Sequence, residues 1–186
     1  MTSPHQTLTK SQRYLIDAFI KLLDEKSPAD IRIIDILNVS GVSRTTFYNY
    51  FDSKESLIDF CLSAYIDHIT LILNQDLAYP DQVVVDALTF LKEHSNYTRA
   101  LVLYYPNIDQ IVTNYITKMT DPKHSSIDHL NAKLKEGYHF SEKYLLSIYV
   151  MTIKTIIFVW VKNDFKETPS EVTAILKTAV QNLTSF

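Results

Sequence analysis

The chain has 186 residues, of which 46% are apolar, with 18 Lys and Arg against 21 Asp and Glu, 2 glycines and 1 cysteine. So few glycines exclude a turn-rich β-protein, and a lone Cys61 excludes an internal disulfide or a multi-cysteine zinc knuckle. The net charge of −3 excludes a basic field as the source of nucleic-acid affinity; residues 1 to 57 are themselves neutral, with seven basic and seven acidic side chains. The polar start, Met1 to Lys10, has no apolar core and so is not a secretory leader, which points to the cytoplasm.

Leu15, Ala18, Phe19, Leu22 and Leu23 recur at helical spacing and predict a first amphipathic helix, ended by Ser27-Pro28. A short apolar segment, Ile33 to Val39, predicts a second helix, and Gly41 supplies the conformational freedom that a tight inter-helix turn needs. Ser43 suits an N-cap, with Val42 and Phe47 in the positions of a hydrophobic staple, so a third helix is expected from Ser43 to Tyr50. Asp52 or Ser53 then caps a longer helix whose stripe is Leu57, Phe60, Cys61, Ala64, Tyr65 and Ile69.

Pro80-Asp81 opens a helix with Val84, Ala87, Leu88 and Leu91 on one face. Asn96 is expected to cap a short aromatic helix ending at Tyr104, and Ile108 to Met119 form the next. Ile127, Leu130 and Leu134 predict another short helix closed by Gly137. The stretch from Tyr144 to Val161 is long enough to enter a bilayer, but Lys154 at its middle, beside Thr152 and Thr155, favours a helix buried in a soluble assembly over a membrane span. Thr168-Pro169-Ser170-Glu171 has the full chemistry of a helix start, followed by a stripe of Val172, Ile175, Leu176, Ala179, Val180 and Leu183. The expected fold is all-α, with about nine or ten helices and no strand, counted from this periodicity.

The functional signal lies between Ile31 and Leu57. Phe47 and Phe51, four residues apart, turn inward with Ile36 and Val42, which leaves Arg44, Thr45, Tyr48 and Asn49 on the opposite face. A short second helix of this kind can enter a major groove. Arg forks onto guanine, Thr reaches base edges, and Tyr hydroxyls and Lys54 suit phosphate oxygens. For Arg44, Lys54 and Tyr48 the plain alternative is a solvated surface.

This stretch resembles the DNA-binding domain of the TetR family of transcriptional regulators. The residues that carry the likeness are Asp35-Ile36, Gly41-Val42-Ser43, Thr46-Phe47-Tyr48, Phe51 and Ser53-Lys54-Glu55, with the Leu15 to Leu23 helix before them. The resemblance covers residues 8 to about 68. It implies a three-helix helix-turn-helix domain over 8–68 and a helical ligand-sensing and dimerisation domain over 69–186. It places Ser43, Arg44, Thr45 and Thr46 at the start of the recognition helix, Tyr48 and Lys54 on the DNA backbone, and Lys10 on a further phosphate. Asn49 completes the DNA-facing set. Three positions depart from the pattern: Thr45 stands where a small residue is common, Tyr50 replaces a common His, and Arg32 replaces the Ser or Thr cap of the second helix while offering a phosphate contact.

The implied partners are a palindromic double-stranded operator, a second copy of the chain and a small-molecule effector, with no membrane. The implied function is a regulator, in the first instance a repressor; the alternative is a co-activator or adaptor that works through a protein partner. Aromatic density suggests Tyr97, Tyr104, Tyr115 and Tyr149 for the effector, against ordinary core packing. The dimer surface is expected at Ile156, Trp160, Val172, Ile175, Leu176, Ala179, Val180 and Leu183. His124, Asp128, His129 and His139 are read as solvated rather than metal-binding, and no cofactor is expected. No phosphate loop, HExxH or nucleophile elbow marks an enzyme.

Overall fold

The computed structural model describes residues 8–74, 80–119 and 142–183. Nine α-helices and no strand occur among them: α1 (Lys10–Leu22), α2 (Ile33–Ser40), α3 (Arg44–Tyr48), α4 (Lys54–Leu73), α5 (Pro80–Glu93), α6 (Ser95–Tyr104), α7 (Ile108–Met119), α8 (Glu142–Lys162) and α9 (Pro169–Leu183). The expected helix around Ile127, Leu130, Leu134 and Gly137, and the residues His124, Asp128, His129 and His139, lie outside the described residues. The chain forms two compact units, Met1–Tyr104 and Tyr105–Phe186.

Local chemistry starts the first helices of the first unit. Thr9 accepts from the Gln12 N–H at 3.2 Å while Gln12 Oε1 accepts from the Thr9 N–H at 3.0 Å, a reciprocal cap for α1. Arg32 brings no capping oxygen, and the Asp35 carboxylate supplies one instead by accepting from the Arg32 N–H at 2.9 Å. Lys26 and the Arg32 side chain add ion pairs to Asp35 at 3.5 and 3.4 Å. The backbone and side-chain hydrogen bonds from Arg32 hold the Asp35 carboxyl below its usual range.

α1 buries Leu15, Ala18, Phe19 and Leu22 against a core that includes Ile31, Ile36, Leu37, Phe47, Phe51 and Leu57. α4 continues that core through Cys61, Leu62 and Tyr65. By length and composition α4 is apolar enough to cross a bilayer, and its buried side chains are Leu57, Cys61, Leu62 and Tyr65. Burial pushes the Cys61 thiol up to about 12, so it stays neutral. α4 packs on α5, and α5 on α6. There Tyr65 meets Tyr97 edge to face at 5.0 Å and bonds to the Thr98 hydroxyl, which donates onward to the Leu91 carbonyl at 2.8 Å. Asn96 is not a cap: α6 begins one residue earlier, and the Asn96 amide donates to the Asp24 carboxylate beyond the end of α1.

In the second unit α8 packs against both α7 and α9. Lys154 crosses from α8 to α7, donating to Asp109 Oδ2 at 2.9 Å and Thr113 Oγ1 at 3.1 Å. At the end of α8, Asp164 and Phe165 take positive φ of 59° and 53°. The strain of a bulky left-handed residue is offset by burial: Phe165 lies edge-on to Trp160 at 4.9 Å, and the Trp160 indole N–H donates to the Glu167 carbonyl at 3.0 Å. α9 starts with the box its sequence announces: the Thr168 hydroxyl accepts from the Glu171 N–H at 3.2 Å, and Glu171 Oε2 accepts from the Thr168 N–H at 2.7 Å.

Candidate nucleic-acid interface

The turn between α2 and α3 is set by Gly41, whose φ of 68° closes α2 in the left-handed region. Its N–H donates to the Leu37 carbonyl at 2.9 Å, so the last turn keeps its hydrogen bond. A Cβ at Gly41 would meet nothing within 4 Å; glycine is favoured there by backbone conformation, not by space. Ser43 caps α3 by accepting from the Thr46 N–H at 3.1 Å, and its hydroxyl also bonds to that of Thr46 at 2.8 Å. Ser43 and Thr46 are thereby engaged in shaping the helix start.

α3 is short, ending at Tyr48 rather than Tyr50, with Asn49 as its C-cap. Phe47 is fully buried and Phe51 nearly so, 5.9 Å apart between ring centres. This pair turns the opposite face outward, and Arg44, Thr45, Tyr48 and Asn49 are all exposed, as is Tyr50 beyond the helix. The Arg44 guanidinium lies 5.7 Å from the centre of the Tyr48 ring. At the edge of the module Lys10 is exposed, with its ammonium 5.6 Å from the Tyr14 ring, and Arg32 is exposed beside Asp35.

Lys54 has a different environment from a free surface lysine. Its ammonium donates to the Pro28 carbonyl at 2.8 Å and to the Ile31 carbonyl at 2.9 Å, across the loop between α1 and α2. Two of its three donors are thus used inside the protein, leaving one for any phosphate. These partners lie 26 and 23 residues away, and no local pattern announces them.

The four tyrosines considered for an effector separate. Tyr97 is buried beside Tyr65 and Tyr104 is exposed at the end of α6, both in the first unit. Tyr115 on α7 and Tyr149 on α8 are half-buried in the second unit, and burial raises the Tyr149 hydroxyl pKa. Lys154, bridging α8 to Asp109 and Thr113, is a charged group of that unit that the aromatic pattern did not suggest.

The expected pairing surface needs correction. Trp160, Val172 and Leu176 are interior within their own unit, at 2%, 1% and 8% exposure, rather than on an outer surface. Ile156, Ala179 and Val180 are half-buried, Ile175 is exposed, and the side chain of Leu183 lies outside the described residues. The outward apolar side chains of α8 are instead Tyr144, Ile148, Met151 and Val159.

Comparison with known proteins matches residues 78–182 to TetR_C_8, the transcriptional regulator C-terminal region. The chain belongs to the TetR family. An HTH-type transcriptional regulator of Mycobacterium tuberculosis, found in strains CDC 1551 and H37Rv and itself described as uncharacterized, is 35% identical over 63 residues. That match covers 34% of this chain and 29% of the relative, so the chain matches under a third of the relative's length. Among solved structures, a TetR regulator from Streptococcus agalactiae superposes with a TM-score of 0.68 at 20% identity, covering 94% of this chain and 93% of the other. The dihydroxyacetone kinase operon activator DhaS gives 0.67 at 17%, covering 93% and 95%. The fatty acid degradation regulator FadR from Bacillus halodurans gives 0.59 at 17%, covering 97% of each. At these identities the likeness is one of fold: an N-terminal helix-turn-helix followed by a helical C-terminal region, as in this TetR-family chain.

Proposed function

We propose that this TetR-family chain regulates transcription by binding a palindromic operator as a homodimer in the cytoplasm, in the first instance as a repressor. The observation that carries the reading is the α3 face: Arg44, Thr45, Tyr48 and Asn49 exposed together over a core made by Phe47 and Phe51. Arg44 and Thr45 read bases, Tyr48 stands against Arg44, and Asn49, Tyr50, Lys10, Arg32 and the remaining Lys54 donor serve the backbone. Ser43 and Thr46 fix the helix start from which they act. The DNA-reading module is taken as residues 8–68, and sensing and dimerisation as 69–186.

Dimerisation is supported by the spacing of Tyr144, Ile148, Met151 and Val159, which sets them along one side of α8 at about 3.6 residues per turn. Ile175 on α9 adds a further exposed apolar side chain. Sensing is assigned within residues 69–186, with the half-buried Tyr115 and Tyr149 of the second unit as the aromatic groups considered for a ligand. Such a ligand must bind one conformation better than another to change DNA affinity.

The test is selection of duplexes from a random pool by the purified chain. Enrichment of a palindrome with half-sites about one helical turn apart supports the reading. The charge balance of residues 1–57 favours a second reading, a co-activator that needs a protein partner, and failure of the purified chain to enrich any duplex would support that instead.

A further inference from the structure

The DNA-facing arginine is not a free arm. The Phe47 ring, wholly buried, meets the Tyr48 ring edge to face, with centres 5.3 Å apart and planes at 83°. Tyr48, at 42% exposure, then offers a face to Arg44 one turn earlier, with the guanidinium carbon 5.7 Å from the ring centre. A chain of contacts therefore runs from the hydrophobic core, through Tyr48, to Arg44. Among the described residues no carboxylate is paired with the Arg44 charge.

A guanidinium held over an aromatic face meets the ring's π surface rather than a hydrogen-bond acceptor, so its N–H donors stay available. Those donors are the ones that fork onto the O6 and N7 of guanine. Arginine otherwise loses rotamer freedom when it docks, and ordering it beforehand lowers that cost at the base it reads.

We propose that Tyr48 is a specificity-setting positioning residue: its ring holds Arg44 in a reading orientation, so its effect on base preference passes through Arg44 rather than through a hydroxyl–phosphate contact. This rests on the DNA-binding reading above. It predicts that the ring, not the hydroxyl, carries the effect.

The probe is the duplex enriched by the wild-type chain from a random pool, together with single-base variants of it. Affinities are measured for Tyr48→Phe, Tyr48→Leu, Tyr48→Ala, Arg44→Ala and the double variant Arg44→Ala with Tyr48→Ala. Tyr48→Leu keeps apolar bulk against Phe47 without a π face, and circular dichroism checks that each variant folds. Tyr48→Phe should bind within about twofold of wild type, given that an exposed cation–π contact needs only the ring. Tyr48→Leu and Tyr48→Ala should lose about two- to fivefold on the selected duplex, the size of one exposed cation–π contact. They should also flatten discrimination at the same base pairs as Arg44→Ala, and Tyr48→Ala should cost little more once Arg44 is gone. The proposal is overturned if Tyr48→Phe loses as much as Tyr48→Ala, or if the Tyr48 and Arg44 losses simply add. If the wild type enriches no duplex, the DNA-binding reading itself fails and this proposal falls with it, an outcome distinct from the other two.

Discussion

The Lys54 ammonium donates to the Ile31 carbonyl at 2.9 Å, linking the first residue of α4 to the end of the loop before α2. With the second bond to Pro28, this makes Lys54 a clasp between α4 and the loop that joins α1 to α2. A cation at a helix N-terminus is opposed by the helix dipole, and the two carbonyls offset that penalty.

Lys54→Met should therefore destabilise the protein in the absence of DNA. A loss of about 1–2 kcal/mol is expected from the charge-assisted hydrogen bonds of a partly exposed group. Urea unfolding measures it, following a helix signal together with a probe in the first unit. A lysine that only touched phosphate would leave the midpoint unchanged and alter only the salt dependence of DNA binding.

Asp35 gives the first unit an acid-sensitive point. Its carboxylate accepts from the Arg32 backbone and side chain and lies near Lys26, and its folded pKa is below the ordinary value of 3.8. A depressed carboxylate contributes stability above its unfolded pKa, and that contribution is lost as pH falls through the folded pKa. Asp35→Asn should thus be less stable than wild type at neutral pH, with the difference narrowing below about pH 4. A difference that is the same at pH 3 and pH 7 would contradict the assignment.

Cys61 is buried and its thiol is raised to about 12, so little thiolate forms in the native protein at pH 8. Iodoacetamide should label the unfolded chain readily and the native chain slowly, at a rate set by opening of the α4 core. Rapid labelling of the native chain would show that this stripe is not closed in solution.

Much of this was legible because it is local. Ser43, Gly41 and Thr168 each announce a helix end by chemistry acting within four residues, and the structure realises all three. Asn96 failed as a cap because its side chain has a closer use, bonding to Asp24 far away in the chain. The structural role of Lys54 was hidden because nothing near it in sequence reveals two carbonyls 23 and 26 residues distant. Trp160, Val172 and Leu176 were placed on an outer surface because periodicity tells which residues share a face, not what covers it.

That difference separates two kinds of charge insertion. Leu176→Glu places a charge in the core of the second unit and should unfold it. Met151→Glu with Val159→Glu alters exposed positions, at 58% and 54%, and should leave a folded chain. If the outward side of α8 pairs two chains, the double variant sediments as a folded monomer where the wild type sediments as a dimer. A double variant that stays dimeric would move the interface elsewhere.

The most direct measurement is a titration of two duplexes, the one the wild type selects and a scrambled duplex of equal composition, with wild type and Arg44→Ala. The account predicts that wild type prefers the selected duplex and that Arg44→Ala weakens binding there by about 1–3 kcal/mol, the size of one bidentate base contact. On the scrambled duplex Arg44→Ala should bind nearly as wild type does, because non-specific affinity rests on the remaining phosphate contacts. A wild type with no preference between the duplexes, or an Arg44→Ala loss equal on both, would contradict the claim that the exposed face of α3 reads DNA sequence.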